Sequence, residues 1–215
     1  MSVITFSRET CSGGTQIAQS VAEKLGYKLA TKKTIEKVLL QYGFVDVAEA
    51  YDSMPNFWTR FDERTQQIVM MFDRVILALA RLGNVIIIGR GAFKVLAPYR
   101  DVLHVRIKSP FPQRVTTYMN RYNIFDKHTA ETAITEADRI RTAFLEVHYG
   151  IKWDSMAHFD LVIDTGKIPP HSAVPLIIDA NKAIMSTACK PHESTTSIEV
   201  DDILRETTRM VIENQ

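Results

Sequence analysis

Gly13 and Gly14 close a turn that begins at Cys11 and Ser12, between the run Val3-Ile4-Thr5-Phe6 and a helical pattern in which Ile17, Val21 and Leu25 recur at every fourth position. A glycine turn that leads from a strand into a helix aims free N–H groups and the positive end of the helix dipole at one point, which makes it an anion site by construction. The plainer reading is that the two glycines only permit a tight turn. Arg90 stands between Gly89 and Gly91, directly after Val85-Ile86-Ile87-Ile88. Parallel sheets collect ligands at the carboxyl edge of their strands, and an arginine there can hold phosphate oxygens through two parallel hydrogen bonds; otherwise it is a loop arginine in solvent. Arg139 and Arg141 lie two positions apart on a long polar pattern, so they point in different directions and share a ligand only if it lies along the helix or the helix frays. Read alone, that pair describes a solvated face. Asp164 closes the run Leu161-Val162-Ile163, where a carboxylate either orders the next loop or approaches a metal-bound water.

These residues need a frame that brings strand ends together. Runs at 3–6, 27–30, 85–88, 102–107 and 161–164 read as five strands, and the third has no alternation at all, which suits a strand covered on both faces. Helical patterns separate them, so the strands must cross over in parallel. Thr31 or Thr34 caps the pattern carrying Ile35, Val38 and Leu39; Asp62 opens the strongest stripe, which includes Ile68, Phe72, Val75 and Leu79 and stops at Gly83. Ser109-Pro110 starts another helix, Thr129 caps the long polar one that runs to Gly150, and a further helix spans about 172–186. Residues 188–197 are polar and read as a linker to a final amphipathic helix within 198–215, whose stripe is Val200, Ile203, Leu204, Thr207 and Val211. That stripe packs on its own domain or builds a homodimer, and periodicity does not separate the two. Trp153 either anchors the end of the long helix or stacks on a base.

Composition narrows the classes. The chain has 215 residues, 46% hydrophobic, with 26 Lys+Arg against 25 Asp+Glu. This excludes a disordered chain and argues against a broad nucleic-acid surface, which carries a basic excess. The near-zero total is a cancellation: residues 85–150 hold ten Lys+Arg against six Asp+Glu, and residues 190–215 hold three against six. The excess therefore falls in the stretch with Arg90, Arg139 and Arg141. Two distant cysteines and scattered histidines offer no metal-ligand spacing, so no protein-held metal is expected. The start has no basic region followed by an apolar stretch and no segment reads as a membrane span, so a cytoplasmic protein without a membrane partner is expected.

Taken in order, Ser7-Arg8-Glu9-Thr10-Cys11-Ser12-Gly13-Gly14, then Ile88-Gly89-Arg90, Ala137-Asp138-Arg139-Ile140-Arg141 and Phe159-Asp160-Leu161-Val162-Ile163-Asp164-Thr165 resemble the cytidylate kinase-like branch of the P-loop nucleoside monophosphate kinases. The resemblance covers about residues 3 to 185. It implies a Rossmann-like, three-layer α/β fold with a five-stranded parallel sheet (residues 1–187), a helical acceptor-binding insert over about 32–82 and a lid over about 123–158. It further implies an ATP-dependent transfer of the γ-phosphate, with magnesium carried by the nucleotide, to a CMP-like nucleoside monophosphate or another small phosphate acceptor. Ser12, Gly13, Gly14, Thr15 and Gln16 would form the phosphate loop. Arg90, with Gly89 and Asp164, would serve the acceptor, and Arg8, Arg139 and Arg141 the phosphoryl group in transit. The chain departs from the family pattern at Thr15, where a basic residue is usual, at Gln16 beside the magnesium-binding hydroxyl slot, at Thr31 in place of an aspartate, and at Gly91 in place of the aspartate of Gly-Arg-Asp. Those departures carry the alternative expectation of an impaired nucleotide- or phosphate-binding module.

Overall fold

The computed structural model describes residues 2–44 and 62–214. Five strands, β1 (Val3–Arg8), β2 (Lys28–Ala30), β3 (Val85–Ile88), β4 (Val102–Lys108) and β5 (Leu161–Asp164), form one parallel sheet in the order β2-β3-β1-β4-β5. The register sets Val3 beside both Val85 and Val102, and Val105 beside Leu161. Every residue of β3 is buried, as its lack of alternation requires. The crossover from β1 runs to β2 on one side and that from the neighbouring β4 runs to β5 on the other, which opens a crevice beyond the carboxyl ends of these two strands, where open parallel sheets bind ligands.

Helices cover both faces. On one face Ile4, Phe6, Ile86 and Val105 pack with Ile17 and Val21 of α1 (Gly14–Leu25) and with Val174 and Ile177 of α7 (Pro170–Ser186). On the other, Val3, Val85 and Ile87 meet α2 (Lys32–Gln41), α3 (Glu63–Leu82) and the end of α6 (Lys127–Tyr149), the long helix that follows α4 (Ala92–Val95) and α5 (Phe111–Tyr122). Residues 45–61, between α2 and α3, lie outside the described residues.

Helix starts differ from the sequence reading in three places. Asp126, not Thr129, is the N-cap of α6: its carboxylate accepts the Thr129 N–H at 2.7 Å, and Thr129 is the partner rather than the cap. The helix after Ser109 begins one residue later than expected, at Phe111, with Pro110 in the N-cap position and no side-chain cap; the Ser109 N–H donates to the Glu9 carboxylate at 2.9 Å. The helix expected from about 172 begins at Pro170, in the proline-tolerant first turn.

Residues 188–197 run through two short 3₁₀ turns. The Asp101 carboxylate accepts from the Ser194 hydroxyl and from the Thr195 N–H and hydroxyl, at 2.8 to 2.9 Å. The last helix, α8 (Asp202–Glu213), places Leu204, Thr208 and Ile212 in the face shared with α2 and α3, whereas Ile203 is 70% exposed and outside the stripe assigned to it. Burying Leu204 and Ile212 contributes about 1.5–3 kcal/mol each. A chain ended at residue 197 is therefore expected to melt several degrees lower with unchanged activity per folded molecule; an unchanged melting temperature would show that the helix contributes nothing to its own domain.

Candidate active site

The glycine turn is shaped by a close approach. A Cβ on Gly14 would stand 2.7 Å from the Arg8 Cβ and 3.1 Å from the Ile107 Cβ, so only glycine lets α1 begin this near the ends of β1 and β4. Gly13 is left-handed at φ +80° and no side chain caps α1, which leaves the amide groups of the first turn available to an anion. Ser12 is buried, its hydroxyl donating to the Glu9 carbonyl at 2.9 Å, whereas Thr15 and Gln16 are exposed. This turn, with Arg8, Arg121 and Arg141, lines a hollow of about 150 Å³.

A second concavity of about 400 Å³ opens beside it, between the Gly89-Arg90-Gly91 turn, Lys32 at the start of α2, and Ile140, Phe144 and Trp153. Arg90 is left-handed at φ +58° between two left-handed glycines, a conformation a long side chain adopts at a cost of about 1–2 kcal/mol. Arg8 and Arg141 line both hollows. The Arg8 guanidinium reaches across from β1 to Gly89, whose absent Cβ would sit 2.8 Å from Nη1. Burial, then the neighbouring Arg141 and Arg90, lower the Arg8 pKa to about 9, and Asp138 opposes them. Burial also lowers that of Arg141, again against Asp138. Guanidinium groups stay charged in proteins, so these shifts measure cations held together with too little negative charge. A phosphate would supply it.

Asp138 on α6 organises this corner. Its Oδ1 accepts the Thr10 N–H at 3.1 Å, the Thr10 hydroxyl at 2.7 Å and Arg141 Nη1 at 2.9 Å, and its Oδ2 pairs with Arg114. Arg114 also lies 3.5 Å from Glu9, which lies 3.8 Å from the buried Arg106. Arg106 stacks on the Trp153 ring at 4.4 Å, and the Trp153 indole N–H donates to the Ser7 hydroxyl at 3.0 Å. One network thus ties the segment 7–10 to the long helix.

A model of the cytidylate kinase-like family matches residues 3–167. The chain belongs to that family. A cytidylate kinase of Pyrobaculum neutrophilum is 30% identical over 183 residues, 83% of this chain and 92% of the relative, and one of Methanocaldococcus jannaschii is 27% identical over 77% and 89%. Among solved structures, an uncharacterized protein from Eubacterium ventriosum superposes with a TM-score of 0.70 at 23% identity, over 85% of this chain and 98% of that one. Shikimate kinase from Bacteroides thetaiotaomicron gives 0.51 at 11%, over 84% and 98%, a likeness of fold. The chain is a kinase-like transferase on a P-loop kinase fold.

Within this cytidylate kinase-like chain the expected site residues divide. Arg8, Ser12, Gly13, Gly14, Thr15, Gln16 and Arg141 meet at one hollow, and Arg8, Gly89, Arg90 and Arg141 at the next. Arg139 does not join them: it is 60% exposed on the outer face of α6, paired with Glu136 at 2.9 Å. Asp164 also lies apart, its carboxylate accepting the Gly166 N–H at 2.9 Å and pairing with Lys108 at 3.6 Å, so it orders the loop after β5. Glu9, Arg106, Arg114 and Asp138 escaped the sequence reading. Arg106 had a signal, a cation inside the strand run Val102–Ile107, and Asp138 a local one, Arg141 three positions on; the partners that give Glu9 and Arg114 a role come only from tertiary structure.

Proposed function

We propose that the chain transfers the γ-phosphate of ATP to the phosphate oxygen of a nucleoside monophosphate, CMP-like by its family. The observation that carries this is the lining of the larger cavity: among the described residues it includes Lys32, Arg8, Arg90 and Arg141 and no carboxylate or imidazole. An alcohol acceptor needs a base to take its proton, whereas a phosphomonoester, with a second pKa of about 6, is already ionised at neutral pH and needs only cations to hold it. Arg90 and Lys32 bind the acceptor phosphate. The first turn of α1 holds the donor phosphates, and Arg8 and Arg141, at the junction, hold the phosphoryl group in line and neutralise its charge.

The residues fit a magnesium ion only as one brought by the nucleotide. Among the described residues no three His, Cys, Asp or Glu side chains converge, and the loop's side-chain oxygens are the neutral ones of Ser12, Thr15 and Gln16. Magnesium brought in that way would offset the charge of the phosphate oxygens. A cytoplasmic setting agrees with two free thiols, Cys11 and Cys189, and among the described residues no helix is long and apolar enough to cross a membrane.

A coupled assay with magnesium-ATP against a panel of nucleoside monophosphates and small alcohols tests the proposal: turnover is expected with a monophosphate and not with alcohols. Thr15, exposed where the family resemblance implies a basic residue, favours one competing reading, a binding module without turnover. ATP that raises the melting temperature with no product from any acceptor would establish it.

A further inference from the structure

Arg90 is held in its left-handed conformation from both sides. On one side the Arg8 guanidinium lies against Gly89; on the other the ring of Tyr149 lies against Gly91, where a Cβ would meet its Cε2 at 2.5 Å and its Cζ at 3.0 Å. Gly89, Arg90 and Gly91 have φ of +74°, +58° and +70° and join β3 to α4: the Gly89 N–H donates to the Phe6 carbonyl at 2.8 Å and the Gly91 carbonyl accepts from the Lys94 N–H at 2.7 Å, so the ends of the turn are pinned and the groups packed on it bear on the direction Arg90 takes. Tyr149 is itself fixed. It is the last residue of α6, stopped there by the left-handed Gly150, and its hydroxyl donates to Asp73 Oδ1 on α3 at 2.7 Å. Its ring also meets the cavity-lining Phe144 edge-on, with centroids 5.8 Å apart. Asp73 is half-buried, and burial raises its pKa against the pull of the tyrosine hydroxyl, so that hydrogen bond is the carboxylate's local compensation.

We infer that Tyr149 is a positioning residue for the acceptor: its ring, braced on Asp73, sets the Gly89-Arg90-Gly91 turn and so aims Arg90 at the acceptor phosphate. It touches neither substrate nor phosphate loop in this role; through Asp73 and Gly91 it links the long helix and α3 to the turn that carries the acceptor arginine. The absence of a side chain at position 91 has the same physical reason, since any β-carbon there displaces the ring. The inference rests on the proposed acceptor role of Arg90.

The test compares steady-state kinetics of wild type, Tyr149→Phe, Tyr149→Leu, Arg90→Met and the double variant Tyr149→Leu with Arg90→Met, using CMP and magnesium-ATP, beside CMP binding by calorimetry without ATP. Tyr149→Leu removes the ring and is expected to raise the KM and Kd for CMP at least tenfold, with kcat within threefold and the KM for ATP unchanged. Tyr149→Phe keeps the ring and loses the brace, and is expected to raise the CMP KM two- to fivefold. In the Arg90→Met background Tyr149→Leu is expected to add less than twofold, because its effect passes through Arg90. A CMP KM unchanged in Tyr149→Leu, or a penalty that multiplies fully with that of Arg90→Met, overturns the inference while leaving the kinase reading intact. If Tyr149→Leu fails to fold, Tyr149→Phe decides by the same split. A wild type that neither binds nor phosphorylates any monophosphate overturns both.

Discussion

Replacing Arg8 with methionine is expected to lower kcat about a thousandfold and to leave the melting temperature unchanged or slightly higher. Arg8 and Arg141 line both the phosphate-loop hollow and the acceptor cavity, which is where charge builds up when a phosphoryl group passes between them. Arginines at that place are worth roughly 10³–10⁵ in rate, since phosphoryl transfer asks little of a protein beyond positioning and neutralisation. Here the demand on Arg8 is greater because Thr15 brings no charge to the loop. Stability moves the other way. Arg8 is held among Arg141 and Arg90 with its pKa lowered to about 9, so its charge is a burden on the unliganded fold. Methionine keeps the Cβ and Cγ that pack on Gly14 and removes the guanidinium, with its charge and its contact at Gly89. Turnover in a coupled assay and a thermal melt read the two effects separately. A kcat within tenfold of wild type would remove Arg8 from the chemistry. Adding Thr15→Lys to the methionine variant is expected to restore part of the rate, because position 15 is exposed on the same loop.

The frame was legible because its signals are local. The unalternating Val85–Ile88, the stops at Gly26, Gly83 and Gly150, and Asp62 accepting from Thr65 at 2.8 Å each follow from one stretch of chain. Caps were less secure: Ser109 could cap its helix by local rules, but the helix starts one residue later, after Pro110, and the Ser109 N–H meets Glu9, 100 residues earlier in the chain. The site was legible to the same degree. Gly13, Gly14 and Arg90 announce themselves by type and neighbours. Of Arg139 and Arg141 only one could face inward, since two positions on a helix are about 200° apart; α6 turns Arg141 in and leaves Arg139 to Glu136. Which one turns in is decided by Thr10 and Arg114 gathering at Asp138, and no spacing within 137–141 encodes that.

Asp138→Asn is therefore expected to damage fold and reaction together. Its carboxylate, 17% exposed, meets four donors: the Thr10 N–H, the Thr10 hydroxyl, Arg114 and Arg141. An asparagine keeps one oxygen and turns an N–H₂ toward the cations. Arg114, only 10% exposed, then retains Glu9 at 3.5 Å and the Thr10 carbonyl at 3.4 Å, with Glu9 its one remaining anion, and Arg141 loses the group that opposes its desolvation. Breaking a buried pair from one side costs about 3–5 kcal/mol, because the remaining charge stays out of water. A urea titration is expected to show a loss of about 3 kcal/mol, near the low end because Glu9 stays with Arg114. The rate is expected to fall about a hundredfold as Arg141 leaves the junction, a loss of the size found when one transition-state donor is removed. The pairing of effects is what separates the two variants. Arg8→Met removes a cation that the empty fold holds at a cost, so rate falls alone; Asp138→Asn removes the anion that makes the cluster tolerable, so rate and stability fall together. An Asp138→Asn protein with unaltered urea stability would mean that the hydrogen bonds from Thr10, Arg114 and Arg141 contribute nothing net, and the long helix would have to be held over the phosphate loop by its apolar contacts through Ile134, Phe144 and Leu145.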